Sequence, residues 1–149
     1  MFLFKHQMVR SMDIKVILQT RESRINFLKG LIRLAKADGV VDEKEFAFYQ
    51  QAAISLQLGE EEILTLDKIK SEEHKIALDF ETDREKMFFL IQAVQLCWMD
   101  NNYSEAEQKE LRTICQEIVI SEEALKAVEA WAQEGVEWNK RGEALLALH

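Results

Sequence analysis

Two short acidic turns carry most of the side chains in this sequence that could do chemistry. The first reads Ala37-Asp38-Gly39-Val40-Val41-Asp42-Glu43-Lys44-Glu45, and the second, 62 residues later, reads Met99-Asp100-Asn101-Asn102-Tyr103-Ser104-Glu105-Ala106-Glu107. Carboxylates at this density suit a hard divalent cation or the basic side chains of a protein partner. Part of each pattern follows from chain geometry alone. Gly39 and Asn101 are residue types that take the left-handed conformation ending a helix. Asp42 and Ser104 are N-caps with a glutamate three positions on, Glu45 and Glu107, which predicts a capping box at each turn. Asp38 and Asp100 have no such role. Each falls in the last turn of a predicted helix, where unpaired carbonyls already carry negative partial charge and a carboxylate costs a few tenths to about 1 kcal/mol. An acid misplaced twice predicts a compensating partner: a lysine, a backbone N–H across the turn, or a metal ion.

The elements that position these turns repeat with them. At the same offset of 62, Phe27 matches Phe89, Leu28 matches Leu90, Leu34 matches Leu96, Glu60 matches Glu122 and Glu61 matches Glu123. Between the identities, apolar residues replace apolar ones, as in Ile32/Val94, Ala35/Cys97 and Leu56/Ile118. The pattern predicts an internal duplication of roughly 40 residues. Proline is absent, glycine numbers 5, and helix formers dominate, so the expected fold is all-α. We expect a single-domain bundle of about seven to eight helices over 1–149, with hairpin repeats near 22–66 and 84–128.

Helical spacing predicts helices over 22–37 and 43–56, the second burying Phe46, Phe48, Tyr49, Ala53 and Ile54. A third helix begins after Gly59, and Ser71-Glu72-Glu73 is read as a further helix start leading through Ile76 and Leu78. Thr82 caps the most apolar helix, 87–99, which should be central. Helices over 105–119 and from Ser121 to Gln133 follow, Gly135 breaks the pattern, and a last helix over 136–148 docks on the bundle or, if exposed, offers a partner surface. An N-terminal helix near 8–19 completes the set.

Catalytic groups are not apparent. His6, His74 and His149 are scattered, no nucleophile stands beside a base, and no glycine-rich phosphate loop occurs, so no enzyme is expected. Cys97 and Cys115 lie on apolar faces without metal or redox spacing, as packing thiols of a reducing cytosol do. A net charge of −8 disfavours nucleic acid and anionic membrane as partners. The first residues lack the apolar core of a signal peptide, and no run approaches a membrane span, which predicts a soluble, cytoplasmic protein with no membrane insertion.

Ala37, Asp38, Gly39, Val41 and Glu45, followed by Leu58, Gly59, Glu60 and Glu61, resemble the TerB-like tellurite-resistance family over roughly 24–125. The resemblance implies an all-helical fold with two similar halves and an association with chemical stress. It also implies acidic turns that act as divalent-cation sites: Asp38 and Glu45 in the first copy, Asp100 and Glu107 in the second. The second copy departs from the pattern with Met99 for alanine and Asn101 for glycine. The first turn also looks like the back half of an EF-hand loop, but loop positions 1 and 3 would be Leu34 and Lys36, which excludes a standard site.

The function expected is a non-catalytic stress-response module whose acidic turns dock on basic protein partners. The alternative is a dedicated divalent-cation-binding protein, with Ca²⁺ or Mg²⁺ as the cofactor at Asp38, Glu45, Asp100 and Glu107. A homodimer is compatible with either.

Overall fold

Thr20 starts the first long helix. Its hydroxyl accepts from the Ser23 amide at 3.0 Å while the Ser23 hydroxyl receives the Thr20 amide at 3.2 Å, so two otherwise orphaned donors are satisfied together. The computed structural model describes residues 13–72, 76–101 and 103–148, with the backbone alone at Asp100 and Asn101. Among them are seven helices and no strand: α1 Ile14–Ile17, α2 Arg21–Lys36, α3 Glu43–Ser55, α4 Glu60–Ser71, α5 Asp83–Asn101, α6 Glu105–Glu117 and α7 Glu122–Leu146. Helices of this length are marginal alone in water, so the bundle depends on burying one face of each.

The core forms where α2 crosses α5. Phe27, Leu28, Leu31 and Ile32 from α2 meet Phe88, Phe89, Leu90, Ala93 and Val94 from α5, all essentially inaccessible. The Phe89 ring lies edge-on to Phe27 at 6.4 Å and stacks on Phe80 at 5.5 Å. Gly30 makes this crossing possible: a Cβ there would lie 2.3 Å from Phe89 Cε1. As expected, α5 is central, packing against α1, α2 and α7. At its middle sits Gln92, fully buried, whose amide finds no hydrogen-bond partner among the described residues.

Several backbone features recur at the offset of 62. Gln57 and Val119, just past α3 and α6, both adopt φ of 62°. The amides of Leu58 and Ile120 both reach back five residues, to Ala53 O at 3.0 Å and Cys115 O at 2.7 Å. The turns themselves differ. The first reverses at Gly39 with φ of 141°, whereas α5 continues through Asn101 and the positive φ falls on Tyr103 at 58°. Asn101 is therefore helical rather than the left-handed residue. The buried Tyr103 ring packs 6.0 Å from Trp98, and its amide closes on Cys97 O, contacts that hold a conformation unfavourable for a bulky residue.

Three expectations change, and a fourth lies partly outside the described residues. Among the described residues no helix restarts after Ser71. Residues 76–80 are irregular, with Ile76 and Phe80 still buried and the Ile76 carbonyl held by Arg33 of α2. Gly135 does not end a helix: α7 runs unbroken through it, a cost of about 1 kcal/mol that the long flanking helix absorbs. Ile54 is 57% exposed rather than buried. Of the N-terminal helix expected near 8–19, residues 8–12 lie outside the described residues, and within 13–19 the helix spans Ile14–Ile17. No helix among the described residues is long and apolar enough to cross a membrane.

Candidate functional site

The two acidic turns lie side by side. After α2 ends, Gly39 reverses the chain and leaves Asp38 facing the start of α6, where its Oδ1 accepts a hydrogen bond from the Ser104 hydroxyl at 2.7 Å. Ser104 is the N-cap of α6 and its oxygen already accepts from the Glu107 amide at 3.2 Å, so the hydroxyl proton is available to Asp38. The donor that compensates Asp38 is thus a hydroxyl at a helix N-terminus, where the macrodipole favours a carboxylate. It belongs to the other turn, a partner that spacing along the chain did not suggest.

Three of the four carboxylates expected from the sequence line one cavity of about 370 Å³: Asp38, Glu45 and Glu107. Its apolar wall comes from Leu31, Leu34, Tyr49, Leu96 and Cys97. The fourth, Asp100, falls in the last turn of α5, and its side chain lies outside the described residues. Glu107 is 6% exposed and committed to structure, its Oε1 accepting from the Ser104 amide at 2.9 Å to complete the capping box. At the first turn only half of the expected box forms among the described residues: Asp42 accepts from the Glu45 amide at 2.8 Å, and the Glu45 carboxylate borders the cavity instead.

Ca²⁺ requires six to eight oxygen ligands and Mg²⁺ a near-octahedral set. Among the described residues no three Asp, Glu, His or Cys side chains approach closely enough to share an ion. Among the described residues, carboxylates alone do not supply such a shell, and backbone carbonyls and waters would have to complete it. A cavity lined by both acidic and aliphatic groups suits the charged head and apolar stem of a Lys or Arg side chain.

Below the turn, α2 is locked by two cations that sequence reading passed over. Arg33, 6% exposed, donates from Nε to Glu110 at 2.6 Å, from Nη1 and Nη2 to Glu117 at 2.6 and 2.9 Å, and from Nη1 to Ile76 O at 3.0 Å. Burial opposes the charge, but the two glutamates outweigh it and hold the guanidinium above its ordinary pKa. Lys36 Nζ donates to Ile69 O at 2.9 Å and to Glu72 O, satisfying the C-terminal carbonyls of α4. The available signal was a charge set between Ile32 and Leu34 in the apolar stripe, with Glu110 and Glu117 seven residues apart on α6.

Nucleophilic chemistry has little support here. Burial, then Glu122 and Glu129, push the Cys115 thiol up to about 12 from 9.0. Burial likewise raises the Tyr103 phenol beside Glu129. Because the folded chain keeps the thiol proton, Cys115 leaves stability unchanged below about pH 9 and lowers it as pH rises toward 12. Denaturant midpoints measured between pH 8 and 11 should fall more steeply for the native chain than for Cys115→Ala. Equal slopes would show that the thiol is not held neutral. His6, His74 and His149 lie outside the described residues.

Compared with known proteins, the chain matches no family model, and no curated protein or solved structure resembles it at a significant level. The likeness to TerB-like proteins rests on the short motifs quoted above.

Proposed function

We propose that this chain is a non-catalytic helical interaction module, TerB-like in its duplicated acidic turns, that receives a basic side chain of a protein partner in the cavity between them. One observation carries the reading: the 2.7 Å hydrogen bond from Ser104 to Asp38, which brings the turns together over a shared cavity. A Lys or Arg stem would lie on Leu31, Leu34 and Leu96 while its head meets Asp38 and Glu45. The features that recur at the offset of 62 support descent by duplication. The stress-response role follows from the TerB resemblance.

The test is a heteronuclear NMR titration of the chain with a capped Gly-Arg-Gly peptide, repeated with CaCl₂ and with MgCl₂. The expected result is saturable shifts at Asp38, Gly39, Glu45 and Tyr49 with the peptide. These shifts should weaken with salt, as exposed charge pairs do, and should be lost in Asp38→Asn/Glu45→Gln. A peptide that moves none of these signals would remove the reading.

The second reading, a divalent-cation protein, is favoured by the same convergence, because one place now collects carboxylates from both turns. It predicts that Ca²⁺ or Mg²⁺ saturates the same signals, that Asp100→Asn weakens the effect, and that the peptide competes. Absence of any ion effect would exclude it.

A further inference from the structure

The second half of α7 presents an apolar face that nothing within the described molecule covers. Trp131, Trp138 and Leu145 recur every seven residues and are 43%, 69% and 63% exposed. Four residues after each tryptophan stands a glycine, Gly135 and Gly142, and no heavy atom lies within 4 Å of where either would carry a Cβ. Spacings of four and three place all five on one stripe of the helix, large and small residues alternating. Each internal glycine weakens the helix relative to alanine. Neither is required by a turn, a positive φ or a close contact in the molecule.

We propose that this face is a homodimer seam, with the α7 helices of two copies antiparallel about a two-fold axis. The pattern itself selects the register. The two tryptophans are seven residues apart and so are the two glycines, so one antiparallel alignment sets Trp138 against Gly135 of the second copy and Trp131 against Gly142, and the reverse. Each indole enters the gap a glycine leaves, and the helices approach to the close end of the usual 8–10 Å range. A parallel pairing would instead set Trp against Trp and Gly against Gly, crowding one level and emptying the next.

Charge agrees with the antiparallel register. Glu134 and Arg141 each directly precede a glycine and so flank the seam on the same side. In the antiparallel dimer each Glu134 faces Arg141 of the other copy, giving two reciprocal pairs, as an isologous contact demands. Met99, 49% exposed at the end of α5, borders a groove of about 490 Å³ with Trp131 and Trp138 and widens the apolar strip.

Sedimentation equilibrium of the whole chain over a range of concentrations tests this. The expected mass rises from 17.4 kDa to twice that. Glu134→Arg and Arg141→Glu should each weaken the dimer, and the two together should restore it. Gly135→Ala/Gly142→Ala should raise the thermal midpoint of the monomer through helix propensity while weakening the dimer about tenfold or more, because the added methyl groups fill the gaps. All these positions are exposed in the single copy, and circular dichroism should confirm unchanged helicity. A native chain that stays monomeric overturns the proposal, as does a dimer indifferent to these changes. So does a monomer whose Trp138 fluorescence is blue-shifted until residues 1–12 are deleted, since the chain's own N-terminal segment would then cover the face.

Discussion

Arg33→Met should lower the unfolding free energy by about 3–5 kcal/mol, the usual consequence of removing one partner from a buried ion pair. The guanidinium spans three elements, joining α2 to Glu110 and Glu117 of α6 and to the Ile76 carbonyl of the irregular segment. Methionine fills much of the volume but removes the donor that reaches Glu110, Glu117 and the Ile76 carbonyl. Arg33→Lys should recover little, because one ammonium cannot reproduce a two-pronged contact with Glu117 together with the bonds to Glu110 and Ile76. Arg112 provides the contrast. It meets Glu122 and Glu129 at 3.2 Å but is 35% exposed, so Arg112→Met should change stability by no more than about 1 kcal/mol. Urea denaturation of the three variants decides the matter, and equal losses for Arg33→Met and Arg112→Met would show that burial of the Arg33 cluster adds nothing. A domain stable by 5–15 kcal/mol could lose much of its margin to the first change alone.

Gly30→Ala is expected to destabilise by about 1–3 kcal/mol or more, although alanine is the better helix former by about 1 kcal/mol. The new methyl would stand 2.3 Å from the Phe89 ring, which cannot retreat because Phe27 and Phe80 hold its other sides. Either α2 and α5 separate or the aromatic cluster rearranges. Adding Phe89→Leu should partly relieve the clash, so the double variant should be more stable than the sum of the single losses predicts. Thermal unfolding of the four chains tests this. If Gly30→Ala raises the midpoint, helix propensity outweighs packing and the close crossing is not required.

Much of the local structure was legible in the residues. The 3.6-residue spacing, the caps at Asp42, Ser104 and Ser121, and the lack of proline specify helices whose ends depend on neighbours a few positions away. Gly135 misled for the same local reason: glycine often ends helices, but it does so only where the following chain supplies a left-handed turn and a stop. The segment after Ser71 misled because its Glu72 and Ile76 carbonyls are held by Lys36 and Arg33, which lie more than 30 residues away in sequence.

By itself the sequence determined most of the helices, the paired acidic turns and the buried character of Cys97 and Cys115, since each depends on composition or on spacing within a few turns. Only the tertiary structure decided that Asp38 accepts a hydrogen bond from Ser104, that Glu45 and Glu107 share a cavity with it, and that no described residue covers Trp138. Those facts depend on how α2 and α5 cross and how far α7 extends. Such packing arises from many weak contacts between residues distant in the chain, and no local pattern encodes it.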